Sequence, residues 1–267
     1  MNAKLILGSP GCGKTYKIIQ LINEFIDKGY KPSDITVLSH TRVAAKEIIT
    51  RSKQSGVRAS TIHSLAYSIA EISRDMVVAV KEIKEFSEKI GISMRGYSAD
   101  TDDSLELGDE YAAIITYANA SMMPMPWAYK EKGMPGSFKE FIYFHDNYKQ
   151  WKSSYGFVDF DDMLESAITV DSSHNYPVLL IDESQDLSKS QWKLINKMSQ
   201  NTKEIAIVGD PDQSLFVWGG AWPYGMIDWA KKNKAKVTEL SQSYRVPIEP
   251  YKISRDIISM VKNRYEK

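Results

Sequence analysis

"GSPGCGKT", residues 8–15, is the stretch on which the fold turns. An apolar run at residues 4–7 leads into it. Behind it, Ile18, Ile19, Leu21, Ile22, Phe25 and Ile26 recur at helical spacing until Gly29. Strand, glycine loop and helix in that order form the setting in which this pattern acquires meaning. The glycines let the backbone curl so that its N–H groups and the following helix N-terminus face a phosphate chain. In such a loop Lys14 reaches the β- and γ-phosphates of a nucleoside triphosphate, and the Thr15 hydroxyl ligates Mg²⁺. Gly8, Ser9, Pro10, Gly11, Cys12 and Gly13 complete the candidate binding loop. By itself the loop does not choose among motors, kinases and switches.

Composition narrows the class. The 267 residues suit one large domain or two intertwined ones. A hydrophobic content of 43% with 25% charged residues is that of a globular chain rather than a disordered one. Lys+Arg and Asp+Glu both total 34, which argues against a surface coated in positive charge but leaves room for a local basic groove. The single cysteine, Cys12, allows no internal disulfide and suits a reducing, cytoplasmic setting. It reads as a small buried filler rather than a nucleophile. No run of about 18 apolar residues is present, so neither a membrane span nor a signal peptide is expected.

Further along, residues 34–40 ("DITVLSH") read as a second buried strand, followed by a helix over "RVAAKEIITRSK". A short strand near residues 57–60 leads into the helical "TIHSLAYSIAEI". From about residue 75 to 155 the pattern becomes helical, joined by loops that include the acidic "DTDDS" and the Pro/Met-rich "MMPMPW". Strand signals return in "PVLLIDESQD" (177–186) and "EIAIVGDPDQS" (204–214), each followed by a helical pattern, and "KVTELSQSYRVP" adds one more strand and a helix start. Alternating strands and helices predict an α/β fold with a mostly parallel sheet covered on both faces.

A nucleotide hydrolase also needs a carboxylate for the metal and a group to position water. Asp182 leaves its strand where a metal-binding aspartate would stand, and Glu183 beside it can polarise the attacking water. The competing reading is a helix N-terminus decorated with acids. Gln213, neutral and able both to donate and to accept, is a candidate sensor of the γ-phosphate. A turn built by Gly-Asp-Pro-Asp explains the residues before it but not the glutamine itself.

Taken in order, these segments resemble the front half of a UvrD/Rep/PcrA-type superfamily 1 DNA helicase. "GSPGCGKT" matches motif I, "SHTRVAAKEI" Ia and "STIHSLA" Ib. "FVDFDDML" follows, then "LLIDESQDLSKSQWKLI" for motif II, "VGDPDQSLFVWGGA" for III and "LSQSYR" for IV. The resemblance implies a RecA-like P-loop NTPase domain, 1A, made of residues 1–74 and 156–267, interrupted by a helical 1B subdomain at 75–155. It implies ATP and Mg²⁺ as cofactors, with Lys14, Thr15 and Asp182 holding them, Glu183 activating water and Gln213 sensing the γ-phosphate. Arg245 would stabilise charge on that phosphate, and Tyr244 would stack near the adenine. An arginine suits this task through its permanent charge and planar fork of donors. The expected partner is single-stranded DNA, met by Thr41, by the "TIHS" segment with Thr61 and His63, and by Trp218, on which a base would stack. Alternatives stay open: a core tryptophan, a buried or capping histidine, and a solvated helix end for "KKNKAK" (231–236). The aromatic series Phe141, Phe144, Tyr148, Trp151 and Tyr155 reads as core packing, with strand contact as the other possibility.

Three departures from that pattern shape expectation. The family's adenine-reading glutamine lies upstream of the loop, where this sequence has no Gln. Tyr16 stands where the family commonly has arginine, and it offers a ring to the base instead. Motifs V and VI, which belong to a second RecA-like domain, do not occur by residue 267. On that footing hydrolysis by this chain alone is expected to be weak, whether it is part of a longer helicase or a one-domain relative. The second domain is then an expected partner, in the same chain or in trans. A non-motor, nucleotide-gated DNA-binding module is the alternative. A phosphotransferase fits less well, because Asp182, Glu183 and Gln213 suit water activation.

Overall fold

The computed structural model describes residues 1–96, 105–171 and 174–261; the acidic "DTDDS" at 100–104 lies outside the described residues. The chain divides into two compact units, one made of Met1–Leu65 with Asp171–Lys267 and the other of Ala66–Val170.

In the first unit the phosphate-loop strand β1 (Asn2–Gly8) is followed by α1 (Lys14–Asp27), β2 (Ile35–Ser39), α2 (Arg42–Ser52), β3 (Arg58–Thr61) and the start of α3 (Ile62–Ile69). The described strands form one six-stranded sheet. Its later members β4 (Val178–Ile181), β5 (Glu204–Gly209) and β6 (Lys236–Leu240) complete the order β3-β2-β4-β5-β1-β6, with every pairing parallel. Every residue of β2 and β4 is buried. A parallel sheet covered on both faces needs such unbroken apolar strands, because neither face can be left to water. One face packs Ile6, Val37, Leu180, Ala206 and Val208 against Ile18, Leu21, Ile22 and Phe25 of α1 and Ile48 of α2. The alternate residues Leu5, Leu7, Leu179, Ile181, Ile205 and Ile207 are equally buried, as the two-residue period of a strand requires. The edge strand β6 is largely exposed and carries Lys236 and Glu239, which discourage pairing with another chain.

Parallel strands place all their C-terminal ends at one border of the sheet, where loops from several strands can meet. Because β5 pairs with both β1 and β4, the loop after β5 stands between the phosphate loop and Asp182. The unit also contains α9 (Lys189–Ser199), α10 (Gly225–Lys232) and α11 (Ile248–Ser259). Lys231 and Lys232 are exposed in the last turn of α10, where they complement the helix dipole, so the solvated reading of "KKNKAK" fits them.

The second unit is helical: α4 (Val80–Ile90), α5 (Leu107–Ser121), α6 (Met125–Glu131), α7 (Phe138–Tyr155) and α8 (Phe160–Thr169). It extends beyond the 75–155 read from the sequence, to Ala66–Val170. Its core is aromatic. Phe141, Phe144, Tyr148 and Trp151 line one face of α7 and pack with Phe86 and Tyr111, which settles those four as core, while Tyr155 is exposed. Part of the stretch expected to be a Pro/Met-rich loop is instead α6. Pro126 sits in its first turn, where the missing N–H costs nothing because that amide would have no intrahelical partner. A parallel bridge between Val77 and Val158 joins the two ends of the unit. At α8, Asp159 accepts the amides of Asp161 and Asp162, and Lys152 reaches the Asp159 and Asp162 carboxylates at 2.5 Å each. Burial works against the Asp159 charge, and Lys152 more than offsets it, leaving that carboxyl below its usual range.

Candidate active site

Lys14 is the first residue of α1 and only 8% exposed, an expensive place for an ammonium unless it meets an anion or acceptors. Its Nζ donates to the Gly8 carbonyl at 3.0 Å. Gln213, from the short turn after β5, donates to Asp210 Oδ2 at 2.6 Å and approaches the same Gly8 carbonyl at 3.3 Å. Two donors from distant parts of the sequence therefore converge on one atom at the rim of the loop. The Gly-Asp-Pro-Asp turn foreseen at 209–212 is present too, with Asp210 capping the Asp212 amide.

Within the loop, Ser9 and Cys12 are buried and the Cys12 amide donates to the Ser9 carbonyl. Thr15 is half-buried at the second position of α1. Among the described residues no side chain caps α1 and no acid occupies its first turn, so its positive end faces the loop without a local anion. Gly11 has a φ of +77°, and a Cβ there would stand 2.8 Å from both Arg245 Cβ and Ser243 Oγ. Only glycine tolerates both the left-handed backbone and that approach. The segment at 243–245 clasps the loop directly: Ser243 Oγ donates to the Pro10 carbonyl at 2.9 Å, and the Tyr244 amide to the Gly11 carbonyl at 3.0 Å. The backbone of Arg245 is thereby brought beside Gly11, while Arg245, Tyr244 and Tyr16 are all exposed.

Asp182 leaves β4 with 2% exposure and accepts the Glu183 amide at 3.0 Å. Burial first, and the neighbouring Glu183 charge second, push its carboxyl up to about 7, with Lys14 acting in the opposite direction. Glu183 itself holds φ +50° and ψ +42°, the left-handed region, which costs a non-glycine residue roughly 1–2 kcal/mol. Such strain collects at functional sites. Two adjacent carboxylates, one deeply buried, beside a lysine and an uncapped helix N-terminus fit a phosphate chain carrying a divalent cation. Asp182 and Thr15 carry the side-chain oxygens expected from the sequence to hold such a cation.

The other named residues lie on neighbouring strand ends. Thr41 caps α2, accepting the Ala44 amide at 3.1 Å, and Thr61 caps the start of α3 through the Ser64 amide. His63 is half-buried; burial, then the nearby His40, lowers its pKa, so it is a neutral ring near neutral pH. Trp218 is 69% exposed, which excludes the core reading. Sequence reasoning passed over three residues here, His40, Phe216 and Gln185. The His40 ring stacks on Phe216 with centroids 4.9 Å apart, and Phe216 lies 6.5 Å from Trp218. Gln185, buried, donates to Glu183 Oε2 at 2.7 Å and accepts the Asp210 amide at 3.0 Å. Its place two residues past Glu183 was visible in the sequence, but its partner on another strand was not.

A parallel sheet covered on both faces, with a phosphate loop on β1 and a carboxylate pair closing β4, defines a RecA-like P-loop NTPase domain carrying a helical subdomain. Such a domain binds a nucleoside triphosphate with Mg²⁺. The chain belongs to the UvrD/REP helicase N-terminal domain family, whose model matches residues 2–234. It is 27% identical over 266 residues to the ATP-dependent DNA helicase Rep of Buchnera aphidicola subsp. Acyrthosiphon pisum (strain APS), with 90% of this chain and 40% of that protein covered. With the ATP-dependent DNA helicase Rep of Escherichia coli (strain K12) it shares 24% over 262 residues, covering 90% and 39%. With the ATP-dependent DNA helicase UvrD2 of Mycobacterium tuberculosis (strain ATCC 25618 / H37Rv) it shares 23% over 294 residues, covering 97% and 41%. The chain thus spans about two fifths of the length of these relatives. Among the described residues no helix is long and apolar enough to cross a membrane.

Proposed function

We propose that this chain is the nucleotide-hydrolysing 1A–1B part of an ATP-dependent DNA helicase, coupling ATP hydrolysis to movement along single-stranded DNA. The observation that carries the proposal is the convergence of Lys14 and Gln213 on the Gly8 carbonyl, together with the buried Asp182 and its half-buried neighbour Glu183 at the end of β4. In this reading Lys14 binds the β- and γ-phosphates, and the loop amides with the α1 N-terminus hold the rest of the chain of oxygens. Thr15 and Asp182 hold Mg²⁺, which when bound offsets negative charge on the phosphates. Glu183 orients a water molecule and takes its proton as the water oxygen bonds to the γ-phosphorus. The bond from that phosphorus to the bridging oxygen breaks, its electron pair leaving with ADP. Arg245, exposed and anchored through its neighbours Ser243 and Tyr244 beside the loop, offers a permanent charge to the γ-phosphate. Tyr244, with its ring in solvent beside the loop, stacks on the adenine.

For DNA the same reading assigns Thr41, Thr61 and His63 to the sugar-phosphate backbone and Trp218 to a base. An exposed indole supports that assignment, since stacking contributes roughly 1–3 kcal/mol per base with little sequence preference. His63, neutral, would act as a hydrogen-bonding group rather than a counter-charge. A second RecA-like domain is the partner that would complete the nucleotide site and convert hydrolysis into steps.

The test is steady-state ATP hydrolysis with and without single-stranded DNA, with Lys14→Ala as the blank. DNA-stimulated turnover that the substitution abolishes is the expected result. ATP and DNA binding with no Lys14-dependent turnover would replace the motor reading with that of a nucleotide-gated binding module.

A further inference from the structure

The turn after β4 is attached to β5 more closely than a loop requires. Ser184 Oγ donates to the Val208 carbonyl at 2.9 Å, and Ser214 Oγ donates to the Gln185 carbonyl at 3.2 Å. A Cβ on Gly209 would stand 2.6 Å from Ser184 Oγ and 2.7 Å from Gln185 Oε1, so the approach depends on a glycine there. At the centre of this attachment is the Gln185 amide. The Asp210 backbone N–H can only donate, so the Gln185 oxygen must face it, at 3.0 Å. The NH₂ group is then turned to the carboxylates of its own turn, donating to Glu183 Oε2 at 2.7 Å and, more weakly, to Asp186 Oδ2 at 3.4 Å. Satisfying the Asp210 amide needs only an oxygen, so the donor directed at Glu183 is additional to what the packing demands. The far side of the same connection is Asp210, whose carboxylate takes the Gln213 amide at 2.6 Å.

We infer that Gln185 is a positioning residue for hydrolysis: its amide holds one oxygen of Glu183 so that the other faces the attacking water, and ties that carboxylate through Asp210 to Gln213. The inference rests on the reading of Glu183 as the base that takes the water proton. A carboxylate on a turn rotates freely about its last bond. One donated hydrogen bond removes that freedom and leaves Oε1 to accept the proton. The strained backbone at Glu183 and the glutamine then act together, the first aiming the side chain and the second fixing its carboxylate plane. Because Gln213 shares Asp210 with this arrangement, a Gln213 amide that turns toward a γ-phosphate alters the group to which Gln185 is bonded.

The experiment measures ATP turnover and KM for Gln185→Glu and Gln185→Met, alone and combined with Glu183→Gln, with Lys14→Ala as the blank. Gln185→Glu keeps the shape and an acceptor for the Asp210 amide but replaces the donor with a negative charge facing Glu183; Gln185→Met removes donor and acceptor without adding charge, so the two agree only if the lost donor is the cause. Misplacement of a reacting group by about 1 Å costs on the order of a hundredfold, so kcat should fall by about that factor while KM for ATP changes by less than about threefold. In the Glu183→Gln background either change should lower the residual rate by less than about twofold, because the group being positioned is already lost. Losses that multiply in the double variants, a loss carried by KM, or a kcat within about twofold of the parent would each overturn the inference and leave the reading of Glu183 standing. A collapse of ATP binding and thermal midpoint in both Gln185 variants would make the residue a scaffold element only. No Lys14-dependent turnover in the parent would overturn the reading of Glu183, and the inference with it.

Discussion

The two units handle buried charge in opposite ways. In the helical unit Lys152 stands within 2.5 Å of two carboxylates, one of which also caps α8, so the charges close on one another. In the sheet unit Asp182 and Lys14 are buried more deeply, yet Asp182 faces a second carboxylate and its carboxyl is pushed up to about 7. The first arrangement is complete as it stands and holds two helices together. The second is left open, and the proposed function fills it with an anion at Lys14 and the α1 terminus and a cation at Asp182. Closed charge builds scaffold, and open charge marks the place where the fold expects something to bind.

Substitutions can break or sharpen this contrast. Lys14→Ala should remove the charge that meets the β- and γ-phosphates and lower ATP turnover by about a thousandfold, an effect on the order of 4 kcal/mol. Its thermal midpoint should stay close to that of the parent, since no closed ion pair is lost; a large fall would mean that Lys14 is scaffold after all. Phe144→Ala, in the aromatic core of the other unit, should cost about 3–5 kcal/mol in a denaturant titration. It should leave the affinity of the sheet unit for ATP unchanged under conditions where both units are folded.

Trp218→Ala should weaken single-stranded DNA binding by roughly 1–3 kcal/mol without a fall in stability, because the indole is exposed. Fluorescence anisotropy with a labelled oligonucleotide reads the first, and a thermal scan the second. The smallest effect is expected at Asp161, where burial pushes the carboxyl up to about 6 against opposition from the Asn119 amide. The folded pKa lies above the unfolded one, so ionisation works against the fold. That penalty is full above pH 6 and fades as the pH falls toward 3.8. Asp161→Asn should therefore stabilise the protein by about 1 kcal/mol at pH 8 and by almost nothing near pH 4, as followed by thermal unfolding. A gain that does not depend on pH would point to packing rather than charge.

What could be read in advance follows the range of the forces involved. Strands β1, β4 and β5 were legible because each is an apolar run that leads into a glycine or an acid, and a parallel sheet leaves no other use for such runs. Asp182, Glu183 and Gln213 were legible as residue types placed at strand ends. The bond from Gln185 to Asp210 was not, since it joins two turns 25 residues apart and depends on a glycine between them. Helix α6 was hidden by Pro126, which reads as a breaker unless its position in the first turn is known. The exposure of Trp218 was legible only through the resemblance, because an indole by itself carries no mark of which side of the sheet border it will occupy.

The clasp between residues 243–245 and Gly11 bears on how such a sequence can drift. Position 11 is closed to other residues twice over, by its backbone angle and by the nearness of Arg245 and Ser243. A lineage that lost the glycine would have to reshape a segment more than 230 residues away, and one that enlarged Ser243 would press on the loop. Each place therefore limits which residues the other can accept, although the two stretches stand at opposite ends of the described chain.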